Sequence, residues 1–303
     1  MNQRVVDPVF CVFSFNRPRF LENCVASIEQ CVPGVRIIVF DDDSDDPDTV
    51  ALLKRLGQTH EIVSPQARGD HKHGGLYWNM QAAFERLSDE ALICFLQDDC
   101  QVVRPLQPGE LDQVSRLFAD NPELAFVHPC FIRGIDQGKV PVHDATSADG
   151  LTYFREDWGQ SAGVHYSDLF ITSPGRLKAN DWRFHPSEPA NDRQAREKFG
   201  RMAYMRSPFA MWLPEVPAYR GKVKTLALKL AERKKQCGFY PFRIWSAEET
   251  DRFLARPADS AAPIAEDFLD CGERTPPRPW TYNPLTGLRF LKQLNNVEQF
   301  FRR

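Results

Sequence analysis

Two apolar runs in the first third of this chain end directly on carboxylates, and those junctions limit the folds open to it. Ile93-Cys94-Phe95-Leu96 passes through Gln97 into Asp98-Asp99, and Ile37-Ile38-Val39-Phe40 passes into Asp41-Asp42-Asp43-Ser44-Asp45-Asp46. A short, unbroken apolar run reads as a strand buried on both faces. Adjacent ionised carboxylates repel, and burying even one is costly, so the pair must sit at the strand's carboxyl edge near a cation, a basic partner or open water. A hard divalent ion meets that need: Mg²⁺ or Mn²⁺ takes one or two protein carboxylates and fills its shell with water and substrate phosphate oxygens. A solvated acidic turn is the plainer alternative.

The segments around these junctions alternate. Val9-Phe10-Cys11-Val12-Phe13 reads as a first strand, followed by Asn16-Arg17-Pro18, where the proline opens a helix with Phe20, Leu21, Cys24, Val25 and Ile28 on one face. Pro33-Gly34 ends it, and the second strand covers residues 35–40. Pro47 then starts a helix capped by Asp46, with Val50, Leu53 and Leu56 as its expected inner face. Glu61-Ile62-Val63 is a third strand; Leu76, Met80, Ala83, Phe84 and Leu87 mark another amphipathic helix; residues 92–96 form the fourth strand. Strand–helix repeats at this spacing predict right-handed βαβ units and a mostly parallel sheet. Ligands of open α/β sheets bind outside the carboxyl ends of the strands, where this chain sends polar clusters at residues 14–17, 41–46 and 98–99.

Composition narrows the chemistry. The 303 residues carry a net charge of −3, which gives no overall attraction to nucleic acid. The eight cysteines include no C-x-x-C pair, and no apolar stretch approaches the length of a membrane span, so a soluble cytoplasmic protein is expected. Neither G-x-G-x-x-G nor G-x-x-x-x-G-K-[ST] occurs. Phosphate must then be held by a metal or by basic side chains, and the loop Arg68-Gly69-Asp70-His71-Lys72-His73-Gly74-Gly75 supplies basic groups on permissive backbone.

Taken in order, Ser14-Phe15-Asn16-Arg17-Pro18, Ile38-Val39-Phe40-Asp41-Asp42-Asp43, Gly74-Gly75 with Asn79 on the next helix, and Phe95-Leu96-Gln97-Asp98-Asp99 resemble the donor half of family 2 glycosyltransferases. The resemblance covers about the first 105 residues well and extends more loosely to about residue 221. It implies a GT-A type, Rossmann-like αβα sandwich with a mostly parallel central sheet. It further implies that Asp42 contacts the nucleotide base, that Asp98 lies at the nucleotide-sugar, and that Asp99 holds the final, metal-ligating place of the D-x-D motif. Gln97 departs from that motif, standing where its first Asp usually does. Ser14, Asn16, Arg17, Arg68, His73, Gly74 and Asn79 complete the expected nucleotide-sugar site, and the expected cofactor is Mn²⁺ or Mg²⁺.

The second half is less regular. Leu111, Val114, Leu117 and Phe118 mark a helix; Leu124-Ala125-Phe126-Val127 and residues 164–173 read as strands. Family 2 enzymes carry an acid at about the distance from D-x-D at which Trp182-Arg183-Phe184-His185-Pro186-Ser187-Glu188-Pro189-Ala190-Asn191-Asp192 occurs. An acceptor hydroxyl is a poor nucleophile near neutral pH, so a carboxylate in reach should take its proton. Asp192 is the first choice and Glu188 the second; Asp192 could instead cap a helix over residues 194–199. A single displacement with that base inverts the anomeric centre. Tyr153, Trp158 and Trp182 could stack on sugars or pack in the core.

Between Arg220 and Lys235 basic residues surround Leu226, Leu228 and Leu230, a pattern that suits either a solvated face or contact with an anionic membrane surface. Leu288 to Phe301 predict a last helix that docks on the body or on another subunit. The organisation that follows is a glycosyltransferase domain over residues 1–221, with its donor half at 1–105 and acceptor half at 106–221, and a helical C-terminal extension over 222–303. The expected activity transfers a sugar from a UDP- or GDP-sugar to a hydroxyl acceptor, such as a saccharide. A sugar-phosphate nucleotidyltransferase and a non-catalytic sugar-nucleotide-binding or glycan-binding module are the rivals.

Overall fold

The computed structural model describes residues 8–64, 75–136, 142–143, 150–155, 163–218, 224–257, 259–272 and 274–301. In the first half, β1 (Pro8–Ser14), β2 (Arg36–Asp41), β3 (Glu61–Val63) and β4 (Leu92–Gln97) alternate with α1 (Pro18–Cys31), α2 (Pro47–Leu56) and α3 (Leu76–Arg86). There follow β5 (Cys100–Val102), α4 (Glu110–Asp120), β6 (Val127–His128), β7 (Val142–His143), β8 (Thr152–Arg155), β9 (Phe170–Thr172), α5 (Pro174–Ala179), α6 (Glu188–Lys198), β10 (Ala203–Met205) and β11 (Ala210–Trp212). The last elements are α7 (Leu226–Lys234), α8 (Ala247–Leu254), α9 (Ala265–Phe268) and α10 (Arg289–Phe301).

Nine of the described strands form one sheet in the order β3-β2-β1-β4-β9-β6-β10-β8-β7. Pairing among β3, β2, β1 and β4 is parallel. β9 enters antiparallel between β4 and β6, and β10 runs parallel to β6 and antiparallel to β8. β5 and β11 make a separate antiparallel pair. The fold is a mixed α/β sandwich whose first four strands pair in parallel, as the strand–helix pattern predicts.

The unbroken apolar character of β1 follows from its position. Phe10 and Val12 join a core with Leu21, Cys24, Val25 and Ile28 of α1, whereas Val9, Cys11 and Phe13 join another with Tyr77, Met80, Ala83 and Phe84 of α3. Successive residues of a strand face opposite sides, so a strand covered on both needs an apolar residue at every position. Helices follow from local chemistry: Pro18 opens α1, and the Asp46 carboxylate accepts from the Thr49 N–H at 2.9 Å to cap α2.

Several expectations are corrected. On α2, Leu53 and Leu56 pack half-buried against the core as expected, but Thr49 and Leu52 are the fully buried residues and Val50 is 48 % exposed. Of residues 124–127, only Val127 enters the ladder, and of 164–173 only 170–172 do. The earlier part of the latter stretch bonds elsewhere: Val164 C=O accepts from Met202 N–H, and the N–H groups of His165 and Tyr166 go to Asp192. The helix expected over 194–199 begins at Glu188, because Pro189 suits a first helical turn and lacks the N–H that turn would leave unpaired. Trp182 and Tyr153 are core residues, 1 % and 2 % exposed; Trp158 lies outside the described residues.

α10 docks on α7, through polar groups. Glu298 accepts from the Leu226 and Ala227 N–H groups at 2.7 and 2.9 Å, capping α7, and Thr225 donates to Asn295 at 2.7 Å. Asn295 of α10 is buried and Leu291 and Leu294 are half-buried, while Phe290, Val297, Phe300 and Phe301 stay exposed, so the helix docks on the body but leaves part of its apolar stripe uncovered. Among the described residues no helix is long and apolar enough to cross a membrane.

Candidate active site

The acids that follow β2 and β4 meet at one rim. Asp42 N–H donates to the Ser14 carbonyl and Asp98 N–H to the Phe13 carbonyl, both at 2.9 Å, so the two residues flank the carboxyl end of β1. Parallel pairing of β1 with β2 and β4 compels this, since all three strands end on the same side.

Each polar residue after β1 serves a neighbouring strand end. Ser14 Oγ donates to Asp98 Oδ2 at 3.1 Å, and the Phe15 N–H reaches the same oxygen at 3.3 Å. Asn16, at φ 51°, ties down the next loop: its Oδ1 accepts from the N–H groups of Asp45 and Asp46, both at 2.9 Å, and its Nδ2 donates to Asp45 at 2.6 Å. Asn tolerates this left-handed conformation better than most residues. Arg17 Nη1 lies 2.9 Å from Asp99 and 3.3 Å from Asp98, and its Nη2 donates to the Pro217 carbonyl at 3.0 Å. The two carboxylates therefore share one internal cation. Burial opposes the Arg17 charge, but Asp98 and Asp99 outweigh it and raise the guanidinium pKa. For Asp98 burial dominates, lifting its pKa to about 6 despite the attraction of Arg17.

Asp42 is fixed by backbone. The Gly75 N–H donates to its Oδ2 at 2.6 Å, and a Cβ on Gly75 would stand 1.9 Å from its Oδ1, so only glycine permits this approach. Asn79 is buried in the first turn of α3. Arg68, His71, His73 and Gly74 lie outside the described residues.

Beyond the rim, a cavity of about 250 Å³ begins at Gln97, the last residue of β4. Its walls include Glu188 and Asp168, with Arg133, Arg155 and Tyr204. Burial raises the pKa of Glu188, and nearby Asp192 adds to the rise while Arg133 and Arg155 oppose it. Burial and then the Glu188 charge push Asp168 up to about 8, although Tyr77 donates to its Oδ2 at 3.0 Å. Two carboxyl groups in one poorly solvated cavity hold a proton between them near neutral pH. His128 stacks on Tyr204, its ring centroid 4.8 Å away, and burial lowers its pKa to about 3, so its ring is neutral.

The two candidate bases differ in their surroundings. Asp192 is inside α6, where its Oδ1 accepts from the His165 and Tyr166 N–H groups at 3.2 and 3.1 Å; it caps no helix. Glu188 starts α6 and faces the cavity. Sequence reasoning missed Asp168, Arg133 and Arg155, of which Arg155 ends the short strand β8 and the other two lie outside regular elements, all without a motif signal. The one hint was charge inside otherwise apolar segments.

The donor set at the rim fits an ion that arrives with phosphates and not one caged by protein alone. Among the described residues no three His, Cys, Asp or Glu side chains are grouped to hold a metal. Asp99 Oδ2 is taken by Arg17, but Oδ1 meets only the Cys100 thiol, at 4.0 Å, among the described residues. One open hard oxygen at a phosphate site is what Mg²⁺ or Mn²⁺ uses.

The model of a family described as glycosyl transferase family 2 matches residues 9–162. Solved structures similar to this chain include residues 1–349 of TarS from S. aureus, 12 % identical with a TM-score of 0.46, over 68 % of this chain and 60 % of that one. Another is the mannosyltransferase PcManGT from Pyrobaculum calidifontis, solved with GDP-Man and Mn²⁺, 12 % identical with a TM-score of 0.46, over 86 % of this chain and 67 % of that one. This chain thus spans about 60 % of the TarS structure's length. Comparison with curated proteins gives no match.

Proposed function

This chain belongs to glycosyl transferase family 2, whose model matches half of it, and we propose that it is a glycosyltransferase that moves a sugar from a UDP- or GDP-sugar to a hydroxyl acceptor, inverting the anomeric centre. The observation that carries this reading is the continuity of the two halves of the site. Gln97 lines the cavity that holds Glu188, and the next residue, Asp98, belongs to the rim with Arg17 and Asp42.

On this reading Asp42, held by Gly75, accepts hydrogen bonds from the nucleotide base. The Arg17–Asp98–Asp99 group faces the diphosphate, and Asp99 would hold a Mn²⁺ or Mg²⁺ carried in with it. Such an ion, when bound, offsets the charge that develops on the leaving diphosphate. Glu188 is the base. A raised carboxyl pKa makes it a stronger proton acceptor, and as the acceptor oxygen bonds to the anomeric carbon its proton passes to Glu188 while the carbon–diphosphate bond breaks on the opposite face. Asp192 is a positioning residue, fixing the 165–166 backbone that leads to Asp168. The exposed Leu226 and Leu230 of α7, beside Lys229 and Lys234, support peripheral contact with an anionic membrane surface.

The test is release of nucleoside diphosphate from a panel of UDP- and GDP-sugars, with and without Mn²⁺, in the presence of hydroxyl acceptors. Release that depends on Glu188 is expected. Tight donor binding with no release under any combination would make the chain a sugar-nucleotide-binding module.

A further inference from the structure

A second cavity, of about 760 Å³, lies outside the site just described, between the start of α1 and the segments that follow α7 and α9. Four arginines line it, Arg19, Arg233, Arg243 and Arg274, and none of its described lining residues is a carboxylate. Arg243 is neutralised by Glu249, which takes both guanidinium nitrogens at 2.8 Å. The other three have no carboxylate within ion-pair distance among the described residues. Arg19 instead lies over the Phe239 ring at 4.7 Å, and Arg274 lies 5.8 Å from the Tyr240 ring and donates to the Gln236 side chain at 3.2 Å.

Like charges brought to one concave wall repel, and in a chain of net charge −3 there was no shortage of acids to pair them. Guanidinium groups stacked on rings keep their N–H edges for another acceptor, and a fork of such edges matches phosphate oxygens. The volume exceeds that of a bare phosphate ion and falls in the range of small-molecule sites. We propose that this cavity binds a phosphate ester, with Arg19, Arg233 and Arg274 gripping the phosphate and Phe239 and Tyr240 lying against the group that carries it. The site is separate from the donor rim, and only the nucleotide controls of its test rest on the glycosyl-transfer reading.

The experiment is calorimetric titration of the full chain with inorganic phosphate and with pyrophosphate. Wild type saturated beforehand with UDP or GDP, which fills the donor rim, should still bind. Arg233→Gln with Arg274→Gln should weaken that binding at least tenfold while nucleotide binding is unchanged, which also certifies the fold. Glu249→Gln should act in the opposite direction, because it frees Arg243 for the anion while a glutamine keeps the helix cap with Ser246. Phosphate binding that the arginine substitutions leave intact, or that Glu249→Gln does not tighten, overturns the proposal. Sedimentation with phosphatidylcholine vesicles, with and without phosphatidic acid, separates the sources. Arginine-dependent binding to the phosphatidic acid vesicles identifies a lipid phosphate, binding of the soluble anion alone identifies a free ester, and binding of neither refutes the site.

Discussion

Arg17 and Asp99 lie 2.9 Å apart at the sheet edge, and the same guanidinium nitrogen reaches Asp98 at 3.3 Å. Before any ligand enters, the acid pair already owns a cation. Arg17 thus lets two neighbouring carboxylates persist where burial alone would disfavour them, and Asp99 keeps an oxygen for a phosphate-bound ion.

Removing that cation should cost stability in a pH-dependent way. Arg17→Ala leaves Asp98 buried beside Asp99, a change worth about 3 kcal/mol when a buried pair loses one partner. Asp98 already has a folded-state pKa of about 6, above the unfolded value of about 3.9, so its charged form is disfavoured by folding and stability falls as pH rises through that window. Without Arg17 the folded value climbs further. The deficit in urea unfolding should be small below about pH 6, where both native proteins keep the Asp98 proton, and should grow as pH rises above that value.

Asp99→Asn should preserve the fold and abolish any strengthening of donor binding by Mn²⁺, read as nucleotide affinity with and without chelator. A variant that keeps the metal effect removes Asp99 as the ion's ligand.

Glu188→Gln should lower turnover by about 10²–10⁴-fold with donor affinity retained, the usual worth of a positioned base. Asp192→Asn should remain active, since an amide oxygen still accepts from His165 and Tyr166. The reverse pattern would hand the proton to Asp192.

Gly75→Ala should weaken nucleotide binding by about tenfold. The added Cβ would stand 1.9 Å from Asp42 Oδ1 and must push the carboxylate off the Gly75 N–H. A charge-assisted hydrogen bond of this kind is worth about 1.5–3 kcal/mol. Equilibrium binding of UDP and GDP to the purified variant checks it.

Asp168→Asn should stabilise the protein at alkaline pH. The folded-state pKa of Asp168, about 8, lies above the unfolded one, so the native state holds a proton that the unfolded chain releases, and wild-type stability declines as pH rises between them. An amide has no such proton to lose. The gain in melting temperature should be absent at about pH 4 and largest above about pH 8.

What the sequence settled by itself was the layout of the donor half. A strand covered on both faces must be apolar throughout and can tolerate carboxylates only past its end, so the runs before Asp41 and Asp98 declared both strands and rim. What it left open was every partnership made across the chain. Arg17 reads in isolation as a turn residue, and only the fold brings it to Asp99 and to the carbonyl of Pro217. Glu188 and Asp192 are equivalent acids on paper. The helix that starts at Glu188 turns one into the cavity and gives the other to the backbone at 165–166, because their chemistry depends on which buried N–H groups and charges surround them, and neighbours distant in sequence supply those.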